Sequence, residues 1–264
     1  MSTLPSIVAP GPASTGTGRA RALPAPGLAG GFGAFRLFGG HVPPTLSLMQ
    51  QVAVATVERI VDGRYAPGSF LSEKALADEF HASKAPVSEA FFLVEPTGLL
   101  EIVSRKGARV AAMSVADFDD LMMYVDLFVP IAIQSFVERR TAQDWAALAG
   151  YIAAMEEMVS DDARTFQFLE LENRAFLHMV LRSGYPRLAR TISPHALQIL
   201  RYSRLGFRSS RARRSLLAKW RQGLRSLKSG DLSATVRARD EMRALRHAEV
   251  IGALARDAGG AASE

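Results

Sequence analysis

Polar and cationic side chains with spacing suited to holding phosphate groups lie between residues 83 and 109. The stretch SKAPVSEAFFLVEPTGLLEI (83–102) begins like a helix, and in it Lys84 and Ser88 lie four residues apart, so both can face one groove of a duplex. A basic turn, Arg105-Lys106-Gly107, follows. Phosphate contacts supply affinity and register for nucleic acid, but they read little of its sequence.

Four large apolar residues, Phe91 to Val94, occupy the second half of the same helix. Phe91, Val94 and one neighbour can form its core face. Four consecutive helical residues span every face, so at least one of these side chains must point outward. Such a side chain is expected either to meet thymine methyl groups or to form a protein contact in place of DNA.

Three short helices and a hairpin are predicted to position these residues. Apolar residues recur at helical period in LSLMQQVAVATVERIVDG (46–63), and LSEKALADEF (71–80) follows with Ser72 as its N-cap. Ser83 can cap the third helix, whose first turn contains Pro86. LLEIVSRKGARVAAM (99–113) predicts two strands about the basic turn. This order is typical of a winged helix-turn-helix.

The remainder of the chain is predicted to be helical throughout. Capping boxes begin at SVAD (114–117) and TAQD (141–144), and six or seven helices with short links indicate an antiparallel bundle. The fold class is therefore mainly α. The expected divisions are a disordered tail over 1–45, the winged domain over 46–113, the helical domain over 114–255, and a second disordered tail over 256–264.

Composition narrows the classes of function. The chain has 264 residues, no cysteine and a formal net charge of +6. The absence of cysteine excludes disulfide scaffolds and thiolate metal sites and fits the cytoplasm. No apolar run approaches the ~20 residues of a membrane span, so no membrane partner is expected. The positive charge indicates an anionic partner, or else only a genome that encodes arginine freely.

The first 45 residues are rich in Ala, Pro and Gly and contain no acid. They are expected to be disordered, or to reflect a start codon placed too far upstream; a transit peptide is disfavoured by the Pro and Gly content. No catalytic triad, Walker loop or dinucleotide-binding glycine motif occurs in the chain, so an enzyme is not expected.

The chain resembles the GntR family of bacterial transcription regulators, in the branch with an all-helical FCD ligand-sensing domain, like FadR. The residues that carry the resemblance are PG (67–68), LSEKALADEF (71–80), SKAPV (83–87), EA (89–90), GL (98–99), RKGARV (105–110), NRAF (173–176), SGYPRL (183–188) and SGD (229–231). It covers roughly residues 46–250. It implies a homodimer that binds operator DNA, with two half-sites about one helical turn apart.

The DNA-reading positions depart from the family pattern. Where the family has arginines, this chain has Phe70, Lys84, Ser88, Phe92 and Leu93. Lysine can meet phosphate but lacks the bidentate fork that reads guanine. The residues still expected to contact DNA are Ser83, Lys84, Ser88, Arg105, Lys106, Gly107 and Arg109.

The helical domain departs from the family as well. Many FCD domains hold a divalent metal with an Asp-x-x-x-His pair and two later histidines, whereas the matching positions here are Asn173, Leu177, Trp220 and Met242. We therefore expect no metal and no cofactor, with His178 and His247 facing away from these positions. Pro130, inside a predicted helix, is expected to kink or split it.

An effector pocket is the expected use of the remaining space. By resemblance its lining is Met122, Asp126, Val129, Asn173, Leu177, Trp220 and Met242, with Met123 and Phe128 as alternatives to their neighbours. An effector there should be largely apolar; alternatively, the large side chains fill the cavity and nothing binds.

Two questions stay open at the level of sequence. The segment 201–228 holds ten Arg or Lys and no acid, which indicates a solvated helix face or a second surface for an anionic partner. For the whole chain, a DNA-binding regulator is the first hypothesis. The alternative is a divergent paralogue that has lost specific DNA reading and acts as a ligand-binding or protein-interaction module.

Overall fold

The computed structural model describes residues 45–104 and 106–261. The tail expected over 1–45 lies outside the described residues apart from Thr45. Arg105, one of the expected DNA contacts, also lies outside them, as do residues 262–264. Below, the winged unit means the described part of 46–113, and the helical unit means 114–261.

The winged unit begins with three helices, as the sequence predicted. They are α1 (Leu48–Val61), α2 (Glu73–Glu79) and α3 (Lys84–Val94), followed by one 3₁₀ turn (Glu95–Thr97). Ser47 and Gln50 close a capping box on α1, and the Ser72 hydroxyl accepts from the third residue of α2. Buried Val57, Val87 and Phe91 belong to the core that joins these helices.

The wing is a three-stranded antiparallel sheet, one strand more than the predicted hairpin. Its strands are β1 (Phe70–Leu71), β2 (Leu100–Val103) and β3 (Gly107–Val110), in the order β1-β3-β2. Phe70 pairs with Arg109, and Val103 pairs with Gly107. Sequence reasoning missed β1 because two residues are too short to show an alternation.

Seven helices form the helical unit. They are α4 (Val115–Arg139), α5 (Ala142–Met158), α6 (Thr165–Leu181), α7 (Pro186–Ile192), α8 (His195–Gly206), α9 (Ser210–Ser229) and α10 (Leu232–Ala261), with a 3₁₀ turn at Asp162–Arg164. Helix α4 runs through Pro130 without interruption, so the expected split does not occur. Helix α10 continues to Ala261, beyond residue 255 where the sequence placed the end of the domain.

Helix α8 joins the two units. Gln198 Nε2 donates to the carbonyl of Thr97 at 2.7 Å, and Arg201 Nη2 donates to the carbonyl of Ala111 at 2.7 Å. Both acceptors belong to the winged unit. Since α8 also packs on α6 and α10, it lies between the winged unit and the rest of the bundle.

The basic segment 201–228 is only partly a solvated face. Arg211 and Arg214 are exposed, as that interpretation expects. Arg201 is only 6% exposed and Arg213 is fully buried, so the interpretation is wrong for these two. The Arg213 guanidinium donates to the carbonyls of Val159, Phe207 and Arg208, to the Thr165 hydroxyl and to the Asp162 carboxylate. It joins α9 to the loop between α5 and α6.

Candidate functional site

The N-terminal end of α3 presents Ser83 and Lys84 to solvent. Ser83 stands at the N-cap position, but its side chain makes no capping hydrogen bond. The first N–H groups of a helix, together with a lysine beside them, suit a phosphate oxygen. Both residues therefore lie where the sequence placed a phosphate contact.

Ser88 has a partner within the chain. Its hydroxyl donates to Glu73 Oε1 at 2.6 Å, and the side chain is half-buried. A DNA phosphate would have to compete with this bond and would approach a carboxylate. The expectation that Ser88 holds DNA is therefore weakened by a contact from α2 that the sequence did not reveal.

The wing presents Lys106 and Arg109, both exposed. The Arg109 guanidinium lies 4.4 Å from the ring centroid of Phe70, which the arrangement of β1 beside β3 makes possible. Gly107 is buried with φ +108°, and a Cβ there would lie 2.4 Å from the carbonyl oxygen of Leu71. Gly107 thus shapes the wing and does not present a surface to DNA.

The apolar run on α3 is divided between core and solvent. Phe91 and Val94 are buried, Leu93 is half-buried, and Phe92 is 64% exposed. Phe92 is the outward side chain that the sequence required. A hollow between α3 and the wing, bordered by Ser88, Phe92 and Ile102, shows that the two elements flank one surface.

Charge in the winged segment differs from that of the whole chain. Residues 46–113 contain seven Lys or Arg and eight Asp or Glu, while the chain as a whole carries +6. The cations outside ion pairs therefore matter most for DNA affinity. Arg59 and Arg64 are paired with Glu79 and Asp62. Among the described residues, this leaves Lys84, Lys106 and Arg109 as the candidates on the surface of α3 and the wing.

A cavity lies inside the helical unit between α4, α6, α8, α9 and α10. About 110 Å³ of it can be reached by a water-sized molecule, and the empty space is about 840 Å³ when the open mouth is counted. Its apolar lining is Met122, Val125, Val129, Ile133, Phe176, Met179, Ile199, Trp220, Leu227 and Met242, with Gly223. Its polar lining is Asp126, Glu172, Asn173, Thr235, Arg239, Arg243 and Arg246.

Six of the seven residues expected to line an effector pocket border this cavity; Leu177 does not. Helix α6 turns Glu172, Asn173, Phe176 and Met179 toward the cavity. Leu177 points to the neighbouring side and packs in a separate apolar cluster with residues of α4, α7 and α8. The family position one helical turn after Asn173 therefore does not face this space. Met123 is exposed, so of the two methionines Met122 is the lining residue.

The cavity wall contains ion pairs that the sequence analysis missed. Arg239 and Arg243 both pair with Asp126, and Arg246 pairs with Glu172 at 2.7 Å. The signal was present in the sequence, because three arginines at i, i+4 and i+7 share one face of α10. Only the fold shows that this face borders the cavity.

Two further polar groups border the cavity. Trp220 Nε1 donates to Glu172 Oε1 at 3.0 Å. Asn173 Nδ2 donates to the carbonyl of Ala196 at 2.7 Å, whereas Asn173 Oδ1 is buried and has no hydrogen-bond partner among the described residues. An unsatisfied buried acceptor favours a ligand or water that carries a donor.

The donor set does not fit the metal that the family resemblance implies. Leu177, Trp220 and Met242 supply no imidazole or carboxylate, and Asn173 is held by Ala196. His178 and His247 do not border the cavity. The described residues contain no group of three or more His, Cys, Asp or Glu that could hold a metal ion.

A buried acid–histidine pair lies outside the cavity. Asp144 Oδ1 accepts from His178 Nε2 at 3.0 Å and from Arg182 Nε at 2.9 Å. Burial lowers the pKa of His178 despite the nearby carboxylate. Burial also opposes ionisation of Asp144, but hydrogen bonds from Thr141 and Arg182 outweigh it and lower the pKa of Asp144. Within the described residues, His178 Nδ1 is buried and has no hydrogen-bond partner.

Helix α4 is long and apolar enough, by length and composition, to cross a membrane. In the structure, Phe118, Val125 and Phe136 of this helix belong to the protein core, and Asp126 in its middle pairs with two arginines. These contacts are typical of a core helix. A helix buried in the core of a protein can have the same length and apolar composition as a membrane span.

A winged helix-turn-helix joined to a helical bundle with an internal cavity defines a class of regulators that combine a DNA-binding unit with a ligand-binding unit. Residues 48–110 match the family described as bacterial regulatory proteins, gntR family, and residues 127–259 match the FCD domain. The chain belongs to the GntR family of HTH-type transcriptional regulators, in its FCD branch.

Two curated relatives illustrate the match. The HTH-type transcriptional regulator YdhC of Bacillus subtilis is 20% identical over 146 residues, which is 55% of this chain and 65% of YdhC. The HTH-type transcriptional repressor RspR of Escherichia coli is 34% identical over 99 residues, which is 38% of this chain and 41% of RspR. The chain thus spans less than two thirds of either relative.

Solved structures share the fold over most of the chain. Escherichia coli McbR/YncC superposes with a TM-score of 0.66 at 20% identity, covering 78% of this chain and 98% of that protein. A GntR-type regulator from Rhodococcus sp. RHA1 has a TM-score of 0.66 at 18% identity, covering 79% of this chain and 99% of that protein. At such identities the likeness concerns the fold.

Proposed function

We propose that this protein regulates transcription in the cytoplasm by binding operator DNA with its winged unit and a small molecule with its helical unit. The observation that carries the proposal is the surface shared by α3 and the wing. Lys84, Lys106 and Arg109 are exposed on it, and no described part of the chain covers α3 at Lys84 or Phe92. Cations at the N-terminus of an open helix and on the wing suit the phosphate backbones that border a major groove.

Selection from a random duplex library tests the DNA-binding proposal. The full chain should enrich a defined sequence, and the affinity for it should exceed that for random duplex by about 10³-fold or more. Lys84→Gln should weaken binding to both duplexes alike, because a phosphate contact reads no base. Equal affinity for selected and random duplexes would contradict operator recognition.

We also propose that the protein is a homodimer paired through α4. Met123, Leu127 and Ile131 are 59%, 63% and 41% exposed, and their spacing of four places them in one stripe. A two-fold axis at Leu127 would set Met123 opposite Ile131, and Asp120 opposite Gln134, so the stripe complements itself. Leu127→Arg should convert the native mass from dimer to monomer, while Val236→Arg, exposed on α10, should not.

The helical unit is proposed to bind a largely apolar effector. Most of the cavity lining is apolar, and the arginines of its wall are paired with Asp126 and Glu172. Asn173 Oδ1, buried without a partner, suits a single hydrogen-bond donor on the ligand. The proposal therefore favours an apolar body with one donor group over a small carboxylate.

Native mass spectrometry of the purified protein tests the effector proposal by showing any copurified compound together with the dimer mass. Trp220 borders the cavity, so its emission should change when an uncharged apolar probe such as N-phenyl-1-naphthylamine enters. Val129→Trp should fill the space and abolish that change. Val115→Trp, at an exposed site away from the cavity, is the control. An identical response in both variants would place the probe elsewhere.

A second candidate is a divergent paralogue that no longer reads DNA specifically. It is favoured by the excess of acids in residues 46–113 and by the absence of arginine from α3. Restoring arginines with Ser88→Arg and Phe92→Arg should then create sequence-specific binding that the native chain lacks. If the native chain discriminates sequences as well as this variant does, the second candidate is wrong.

A further inference from the structure

The face of α3 that points away from the core has an unusual composition for a DNA-reading helix. Val87, Phe91 and Val94 are buried, and the opposite side of the helix carries Ala85, Glu89 and Phe92, all exposed. These three positions lie within about 60° of one another on the helix, given ~100° per residue. This outward face contains no cation.

The surroundings of this outward face favour a duplex as its partner. Lys84 is the first residue of α3. Lys106 and Arg109 are exposed on the wing, whose residues Ile102 and Gly107 border the same hollow as Phe92. An uncharged aromatic ring and a methyl group, with one cation at the helix N-terminus and two on the wing, match a groove lined by bases and bordered by phosphates.

Glu89 remains available for a ligand. It is exposed and forms no hydrogen bond or ion pair with any residue that the structure describes. In the major groove, a carboxylate can accept a hydrogen bond from the N4 amine of cytosine, and it repels the acceptor edge of guanine. Glu89 therefore favours one base and disfavours another.

Resting on the proposed function, we propose that α3 reads pyrimidines: Ala85 and Phe92 contact thymine 5-methyl groups, and Glu89 accepts from cytosine N4. The operator half-site should then place thymine and cytosine on the strand that faces α3. Guanine presents the acceptors O6 and N7, which need a hydrogen-bond donor, and the side chains of Ala85, Glu89 and Phe92 supply none.

A thymine-to-uracil exchange tests the methyl contacts without altering base pairing. After selection of an operator with the full chain, each thymine of the half-site is replaced by uracil, which removes only the 5-methyl group. At least one replacement should weaken binding by about fivefold or more, the lower end for one lost base contact. In Phe92→Ala, the same replacement should have less than about twofold effect, because the partner of the methyl is gone.

Glu89→Ala tests the cytosine contact. Repeated selection should lose its preference at one cytosine and retain it elsewhere. Asp78→Ala makes the same charge change at an exposed position of α2 in the same unit and should leave the selected sequence unchanged. A selected operator that tolerates every uracil, or that keeps its full preference with Glu89→Ala, overturns the readout and leaves the proposed function standing. Failure to select any sequence overturns both.

Discussion

Arg213→Met should destabilise the helical unit more than any change at its exposed neighbours. Arg213 is the largest fully buried side chain among the described residues, and its guanidinium donates to three carbonyls, one hydroxyl and one carboxylate. Methionine fills much of the same space but supplies no donor. The carbonyls of Val159, Phe207 and Arg208 would then lose a charged partner.

The magnitude follows from which partners can reach water. The Asp162 side chain is 75% exposed and regains solvent once its partner is removed, so its loss costs little. The three carbonyls lie in buried or partly buried positions, and each unsatisfied buried acceptor costs about 1–3 kcal/mol. We expect a total of about 3–5 kcal/mol, the lower part of the sum for three such acceptors, because two of them are only partly buried.

Thermal unfolding followed by circular dichroism checks this prediction. For a unit of this size, about 3–5 kcal/mol corresponds to a decrease in Tm of about 6–20 °C. Arg214→Met is the matched control, since Arg214 is the next residue on α9 and is exposed. It should shift the Tm by no more than about 2 °C. Equal Tm values for the two variants would refute the reasoning, because burial would then carry no cost.

Three further outcomes are expected. Gly107→Ala should cost about 1–3 kcal/mol in the winged unit, because φ is +108° and a Cβ would meet the Leu71 carbonyl; faster amide exchange in β1 and β3 would show it. His178 has a lowered pKa, so the unfolded chain takes up its proton first and stability should fall as pH decreases below about 6.5. Urea midpoints between pH 7 and 5 should vary less in His178→Gln; an unchanged slope would contradict this. Lys84→Gln should reduce the salt dependence of DNA binding by about 0.9 per protomer, measured by anisotropy at several salt concentrations, and an unchanged slope would exclude Lys84 from the phosphate contacts.

The local sequence pattern and the family resemblance were sufficient to predict the helices and many of the residues that line the cavity. Apolar periodicity and capping residues act within one or two helical turns, so the helices of both units could be predicted from the chain. Family spacing then placed Met122, Val129 and Trp220 around one space, and they do border the cavity. The prediction for Leu177 was wrong, because successive residues on α6 face different directions and Leu177 packs in another apolar cluster.

The sequence could not predict which distant segments contact each face of a helix. Periodicity separates an inner face from an outer one, but it does not tell which distant segment covers a residue. Arg213 meets Val159 and Asp162 across about fifty residues, and Ser88 meets Glu73 across the turn between α2 and α3. Arginine and serine are usually exposed, so only packing shows that these two are already engaged.

The sequence by itself thus determined a winged helix-turn-helix followed by a helical bundle, and it required one outward apolar residue in the run from Phe91 to Val94. The tertiary structure decided that this residue is Phe92, that the arginines of α10 border the cavity, and that α8 joins the two units. The physical reason is the separation along the chain over which each interaction acts. Helix formation is governed by residues that are near neighbours in sequence. Burial and ion pairing depend on distant segments that come together only when the chain packs.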